Sequence, residues 1–240
     1  MERKRFLKSL IIGAFAGPAV LEGCKKSNSI TAVDDPSGTG TVTNSGTSSS
    51  GCTVAPTETE GPFPTKVPSS YTRSDITDGK SGYKLTANIT INSKCEALPG
   101  AIVDIWHCDA DGNYSEYGGS GMQSTNYQSV HFLRGRQTTD ANGLVNFTSI
   151  FPGWYSGRAT HIHVHVYSAT GNSLKVTQIA FPEGSGTAVA LVNGYKKGMS
   201  GYTTNANDNV FSDDMLKIEV ANVTGSLTDG FVLTMKINVA

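Results

Sequence analysis

From residue 82 onward the chain alternates apolar and polar residues in short runs, beginning with Leu85, Ala87, Ile89 and Ile91 between polar neighbours. A period of two puts one set of side chains on each face of an extended strand, so a sheet built from such runs has to bury its apolar face against a second layer. Similar segments recur near 100–107, 143–148, 160–168, 174–181, 216–222 and 231–239. Pro99-Gly100, Asp111-Gly112, Asn142-Gly143 and Asp229-Gly230 separate them as turns. No long amphipathic helix interrupts the pattern, and residues 186–202 read as a short helix or an irregular loop. About seven short strands joined by Gly-rich turns predict an all-β chain folded as an antiparallel β-sandwich.

The first 51 residues cannot belong to such a core. Arg3, Lys4, Arg5 and Lys8 form a basic region, Leu10 to Leu21 is mostly apolar, and Leu21-Glu22-Gly23-Cys24 follows, so residues 1–24 read as an export signal. The apolar run is shorter than the roughly 20 residues that span a bilayer. Leu21-Glu-Gly-Cys24 is similar to a bacterial lipobox, in which the cysteine is acylated, and Arg3-Lys4-Arg5 is similar to a degenerate twin-arginine signal. Residues 25–51 are rich in Ser, Thr and Gly and read as a flexible tether, leaving 52–240 as the folded domain. The expected location is periplasmic or cell-surface, with membrane attachment through lipidated Cys24. With Cys24 set aside, Cys52, Cys95 and Cys108 allow three pairings in an oxidising compartment. A formal net charge of -1 over 240 residues gives no basis for a nucleic-acid partner.

The chemistry concentrates in Arg158-Ala-Thr-His161-Ile-His163-Val-His165. Same-face side chains on a strand lie about 6.5 to 7 Å apart, so alternate imidazoles can converge on one metal ion. A bare His-x-His is more often a half-buried strand whose histidines satisfy local hydrogen bonds. Here Pro152-Gly153-Trp154-Tyr155 lies just upstream and the polar turn Asp111-Gly112-Asn113-Tyr114 offers a second tyrosine, with Tyr117 competing three residues later. Imidazoles suit zinc, copper and iron alike, whereas a pair of anionic phenolates favours Fe(III). A tyrosine with an ordinary pKa near 10 becomes a ligand at neutral pH only when a cation holds its deprotonated form.

These residues belong to longer blocks: Cys52 to Phe63, Pro99 to Ser115, Phe132 to Gly143, Phe151 to His163 and Thr177 to Phe181. In that order they resemble the intradiol ring-cleavage dioxygenases, non-haem Fe(III) enzymes that open catechols. The resemblance implies the same β-sandwich, one mononuclear Fe(III), and Tyr114, Tyr155, His161 and His163 as its ligands. It selects Tyr114 over Tyr117 and leaves His165, His107 and His131 outside the ligand set. Arg158 is implied beside the substrate ring, Gln178 near that arginine, and Tyr155 as the phenolate that leaves the metal and takes a substrate proton. The implied substrates are a catechol-type diol and O2, and the implied product is a cis,cis-muconate-type diacid holding both oxygen atoms. Resemblance to exported members also favours the pairing of Cys52 with Cys95. Two other readings stay open on the residues: a non-catalytic exported binding module, and a zinc or copper protein using the histidine strand alone.

Overall fold

The computed structural model describes residues 52–240. The export signal, Cys24 and the tether therefore lie outside the described residues, among which no helix is long and apolar enough to cross a membrane. Among the described residues nine strands form two sheets: β1 (Lys84–Ser93), β2 (Glu96–Ala97), β3 (Ile102–Trp106), β4 (Arg134–Thr138), β5 (Leu144–Ile150), β6 (His161–Tyr167), β7 (Ser173–Ala180), β8 (Asn222–Ser226) and β9 (Gly230–Asn238). One sheet runs β2-β1-β9-β8 with β5 also paired to β1, and the other runs β4-β3-β6-β7. All pairings are antiparallel except that of β1 with β9, which is parallel and joins strands far apart in sequence.

The alternation in β1 works as expected. Leu85, Ala87, Ile89 and Ile91 are all fully buried, facing one core with Phe231, Leu233 and Ile237 of β9 and Val103, Ile105, Ile162, Val164 and Ile179 of the other sheet. Burying a side chain of this size contributes about 1.5–3 kcal/mol. The Asn142-Gly143 turn does not close a hairpin but carries the chain from β4 in one sheet to β5 in the other. Asp140 shapes it by accepting from the amides of Asn142 and Leu144, both at 2.8 Å.

One expected strand needs correction and one strand was not anticipated. Residues 216–222 are not a strand: Asp214 accepts from the amides of Ile218 and Glu219, which curls the segment, and β8 starts only at Asn222. Conversely, Arg134-Gly-Arg-Gln-Thr138 is a strand without apolar alternation. Its outward arginines are sequestered by polar partners, Arg136 on Asp104 at 2.5 and 2.7 Å, and Arg134 on the carbonyls of Phe63 and Ser115. Of the two outcomes anticipated for 186–202, a short helix forms, α1 (Ala188–Val192). Cys52 pairs with Cys95, with Cα atoms 5.0 Å apart, and Cys108 is free and buried. Closing that loop stabilises by about 3–4 kcal/mol in the chain-entropy model.

Candidate active site

Strand pairing places His163 opposite Trp106 on one side and Gln178 on the other. All three therefore point to the outer face of the four-stranded sheet. This face is covered by the stretch before β1 and by the loops 107–133 and 151–160, so His161 and His163 are each only 1% exposed. The His163 ring lies parallel to the Trp106 indole, with centroids 5.0 Å apart. Gly61 closes over its edge with φ of +70°, where a Cβ would come within 2.8 Å of His163 Cε1. A glycine is required there both for the left-handed backbone and for the close approach.

Tyr114 is fully buried and reaches the histidines from the 107–133 loop. Gln123 fixes its backbone, accepting from the Tyr114 amide at 2.6 Å and donating to its carbonyl at 2.9 Å. Phe63 stacks on its ring at 4.8 Å. Tyr155 enters from the other loop, half-buried, with its ring 5.7 Å from that of Tyr114 and 5.6 Å from that of His161. Tyr117 points elsewhere and donates to the Pro64 carbonyl at 2.6 Å.

The donor atoms converge. His161 Nδ1 lies 2.6 Å from the Ala159 carbonyl, which can only accept, so Nδ1 carries the hydrogen and Nε2 presents a lone pair. That Nε2 sits 3.2 Å from Tyr114 Oη and 3.1 Å from His163 Nε2. Donors at right angles around one ion with bonds of about 2.1 Å stand about 3.0 Å apart, so these spacings match the edges of a coordination shell. Burial lowers the pKa of His161 to about 3 and that of His163 well below the ordinary value, so both rings are neutral at physiological pH. Burial raises the pKa of both phenols, and for Tyr114 the neighbouring Tyr155 adds to it. Two neutral imidazoles and two phenols that resist ionisation suit a strongly charged cation, which alone would hold the phenolates in this dry setting. Among the described residues, no group of three or more His, Cys, Asp or Glu side chains could hold a metal ion. Any metal held here would have to engage the tyrosines.

Arg158 stands at the rim with three of its nitrogens differently engaged. Its Nε donates to both oxygens of Asp208 at 3.1 and 2.9 Å, and one terminal nitrogen donates to Gln178 Oε1 at 2.6 Å. The other terminal nitrogen lies 3.5 Å from Tyr155 Oη. Gln178 is itself anchored by donating to the Thr59 carbonyl at 2.9 Å. Asp208, fully buried, also accepts from the amides of Ala159 and Val210 at 2.6 and 2.8 Å. Sequence reasoning missed Asp208, which lies in the polar run Thr203-Thr-Asn-Ala-Asn-Asp208-Asn far beyond the histidine strand. Its one local signal is that a lone carboxylate directly precedes the buried pair Val210-Phe211 by two residues.

The histidines set aside are occupied structurally. His165 stacks on Tyr167 at 3.9 Å and pairs with Glu60 at 3.0 Å. His107 bridges the Cys108 carbonyl and Ser149, and His131 contacts Tyr71 and Glu116. Beside Tyr155 and Arg158 opens a cleft of about 280 Å³, with Pro62, Met122, Asn209 and Val210 among its walls.

A family model described as "Dioxygenase" matches residues 63–221. A chlorocatechol 1,2-dioxygenase from Rhodococcus opacus is 30% identical over 103 residues, and that match spans 35% of this chain and only 37% of the relative's length. The solved intradiol ring-cleavage dioxygenase from Tetranychus urticae superposes with a TM-score of 0.68 at 28% identity, covering 78% of this chain and 95% of that one. The dioxygenase domain of a dioxygenase carbohydrate-binding protein fusion from Streptomyces sp. SirexAA-E is alike in fold, with a TM-score of 0.55 at 24% identity over 77% of this chain and 97% of that one. Because the matched region contains the whole four-stranded sheet, β1 and β5 of the other sheet and both loops that carry the tyrosines, this chain belongs to the intradiol ring-cleavage dioxygenases.

Proposed function

We propose that this protein is a non-haem Fe(III) dioxygenase that cleaves a catechol-type diol between its hydroxylated carbons with O2, giving a cis,cis-muconate-type diacid. Tyr114, Tyr155, His161 and His163 hold the ion in this reading. The observation that carries it is the convergence of Tyr114 Oη, His161 Nε2 and His163 Nε2 at 3.1–3.2 Å, with Tyr155 and Arg158 at the adjoining cleft. A ferric ion bound there supplies Lewis acidity that acidifies the diol and couples its oxidation to O2.

The chain's own residues divide the remaining work. Tyr155 is less buried than Tyr114 and borders the cleft, so it is the phenolate that can turn aside and take a proton from the entering diol. Tyr114, packed under Phe63 and pinned by Gln123, stays in place. Arg158 presents its one weakly engaged nitrogen toward Tyr155 and the cleft, where a fixed positive charge stabilises negative charge as it develops on the ring. Gln178 and Asp208 hold the guanidinium in that pose, and the covering loops exclude water from the histidines.

Loading the purified protein with Fe(III) should produce visible phenolate-to-metal absorption that shifts when a catechol is added without oxygen. Admitting 18O2 should then place both labelled atoms in the diacid, read by mass spectrometry. Tyr155→Phe should weaken the colour and slow diol binding. A protein that stays colourless after Fe(III) loading, or that consumes no oxygen with any catechol, sinks this reading.

A further inference from the structure

Resting on the ring-cleavage reading, we infer that the cleft selects catechols whose ring substituents are uncharged and apolar, and rejects those that carry a carboxylate. Among the described residues, Arg158 is the only cationic side chain lining the cleft. In its pose Nε is taken by Asp208 and one terminal nitrogen by Gln178, so the guanidinium presents to the cleft only the terminal nitrogen that lies 3.5 Å from Tyr155 Oη. A ring carboxylate would therefore shed water without gaining a fork of donors, which disfavours binding.

The field around the guanidinium works in the same direction. Asp208 is fully buried against it. Burial and the carboxylates of Asp213, Asp208 and Asp214 raise the pKa of Glu58 while Arg158 lowers it, so several carboxylates share this side of the site with one cation. Like charges juxtaposed at a binding site suppress the wrong partner more than they strengthen the right one.

The walls supply the attraction. Val210 belongs to the same loop as Asp208 and lines the cleft together with Pro62, so the segment that locks Arg158 also contributes an apolar wall. Met122 completes it from the loop containing Gly118, Gly119 and Gly121, all at positive φ, and is itself 71% exposed. An exposed methionine at the rim of a cleft is an adaptable cover for an apolar substituent, and each methylene buried there should tighten binding about three- to fourfold.

The test uses the full chain loaded with Fe(III), titrated without oxygen by the absorption shift and then assayed for oxygen uptake. The probes are catechol, 4-methylcatechol, 4-butylcatechol and protocatechuate. Affinity should rise along the alkyl series, and protocatechuate should bind at least tenfold more weakly than catechol. Asn209→Arg, on an exposed wall position, should raise the protocatechuate-to-catechol ratio of affinities tenfold or more, and Met122→Ser should flatten the alkyl series. Equal affinity for protocatechuate and 4-methylcatechol, or an alkyl series flat in the unmodified protein, overturns the inference. The predicted affinity order without oxygen uptake overturns the ring-cleavage reading instead and leaves the selectivity standing.

Discussion

The two faces of the four-stranded sheet come from the same strands, one residue out of step, and have opposite characters. Inward, Val103, Ile105, Ile162, Val164, Val166 and Ile179 meet the second sheet with no exposed surface. Outward, Asp104, Trp106, Arg134, His161, His163 and Gln178 are almost as dry, none more than 2% exposed. Burial alone therefore does not distinguish the core from the site. The inner face is held by non-directional apolar contact, which tolerates rearrangement. The outer face needs a partner for each polar atom, and those partners come from loops far away in sequence. Its exceptions are informative, since His163 Nδ1 and Trp106 Nε1 are buried yet have no hydrogen-bond partner among the described residues.

The sharpest way to break this comparison is to change one residue on each face. On the outer face, His163→Gln should lower oxygen uptake by more than about 10³-fold, some 4 kcal/mol of barrier, while the urea midpoint moves little. On the inner face, Ile105→Ala should cost about 2–5 kcal/mol in urea unfolding and leave the turnover of the folded fraction unchanged. If the two variants behaved alike in both assays, the division between a packing face and a chemical face would fail. Next in size, Asp208→Asn should lower kcat about 100-fold with little change in KM for catechol, because it frees Arg158 to leave its pose. An unchanged kcat would remove Asp208 from the machinery that positions Arg158.

The smallest effect concerns a polar intrusion at the edge of the inner face. Glu219 accepts from Thr177 at 3.3 Å, its other oxygen has no partner among the described residues, and it is 1% exposed. Burial, reinforced by Glu58 and Asp214, raises its pKa from 4.5 to about 8. The folded state thus holds a proton that the unfolded state releases, so this contribution to stability is complete below pH 4.5 and is lost as pH rises through about 8. Glu219→Gln should flatten the fall in melting temperature across that window and make the variant the more stable protein at pH 8. An identical pH profile for the two proteins would rule out this role for Glu219.

Much of the sandwich was legible because period-two alternation reports a half-buried strand directly, as β1 and β9 show. β4 was not legible, because its outward positions are arginines whose burial depends on carboxylate and carbonyl partners elsewhere. The segment 216–222 misled for the opposite reason: Leu216, Ile218 and Val220 alternate, but Leu216 is 66% exposed and Asp214 turns the backbone. The parallel contact of β1 with β9 joins residues about a hundred and forty-six apart, Leu85 and Phe231, and no local pattern specifies it.

For the site, residue identity determined the kinds of donor available, two phenols, two imidazoles and a guanidinium, and the strand period set His161 and His163 on one face. The family resemblance pointed to Tyr114, but the spacing of the residues did not bring it there: tertiary structure carries Tyr114 Oη, 47 residues away, to His161 Nε2 and turns Tyr117 to Pro64. Tertiary structure alone brought Asp208 across 50 residues to Arg158. The physical reason is the same in both cases. Side-chain chemistry and backbone period are local properties of the chain, whereas the distance between two loops is set by how both sheets pack.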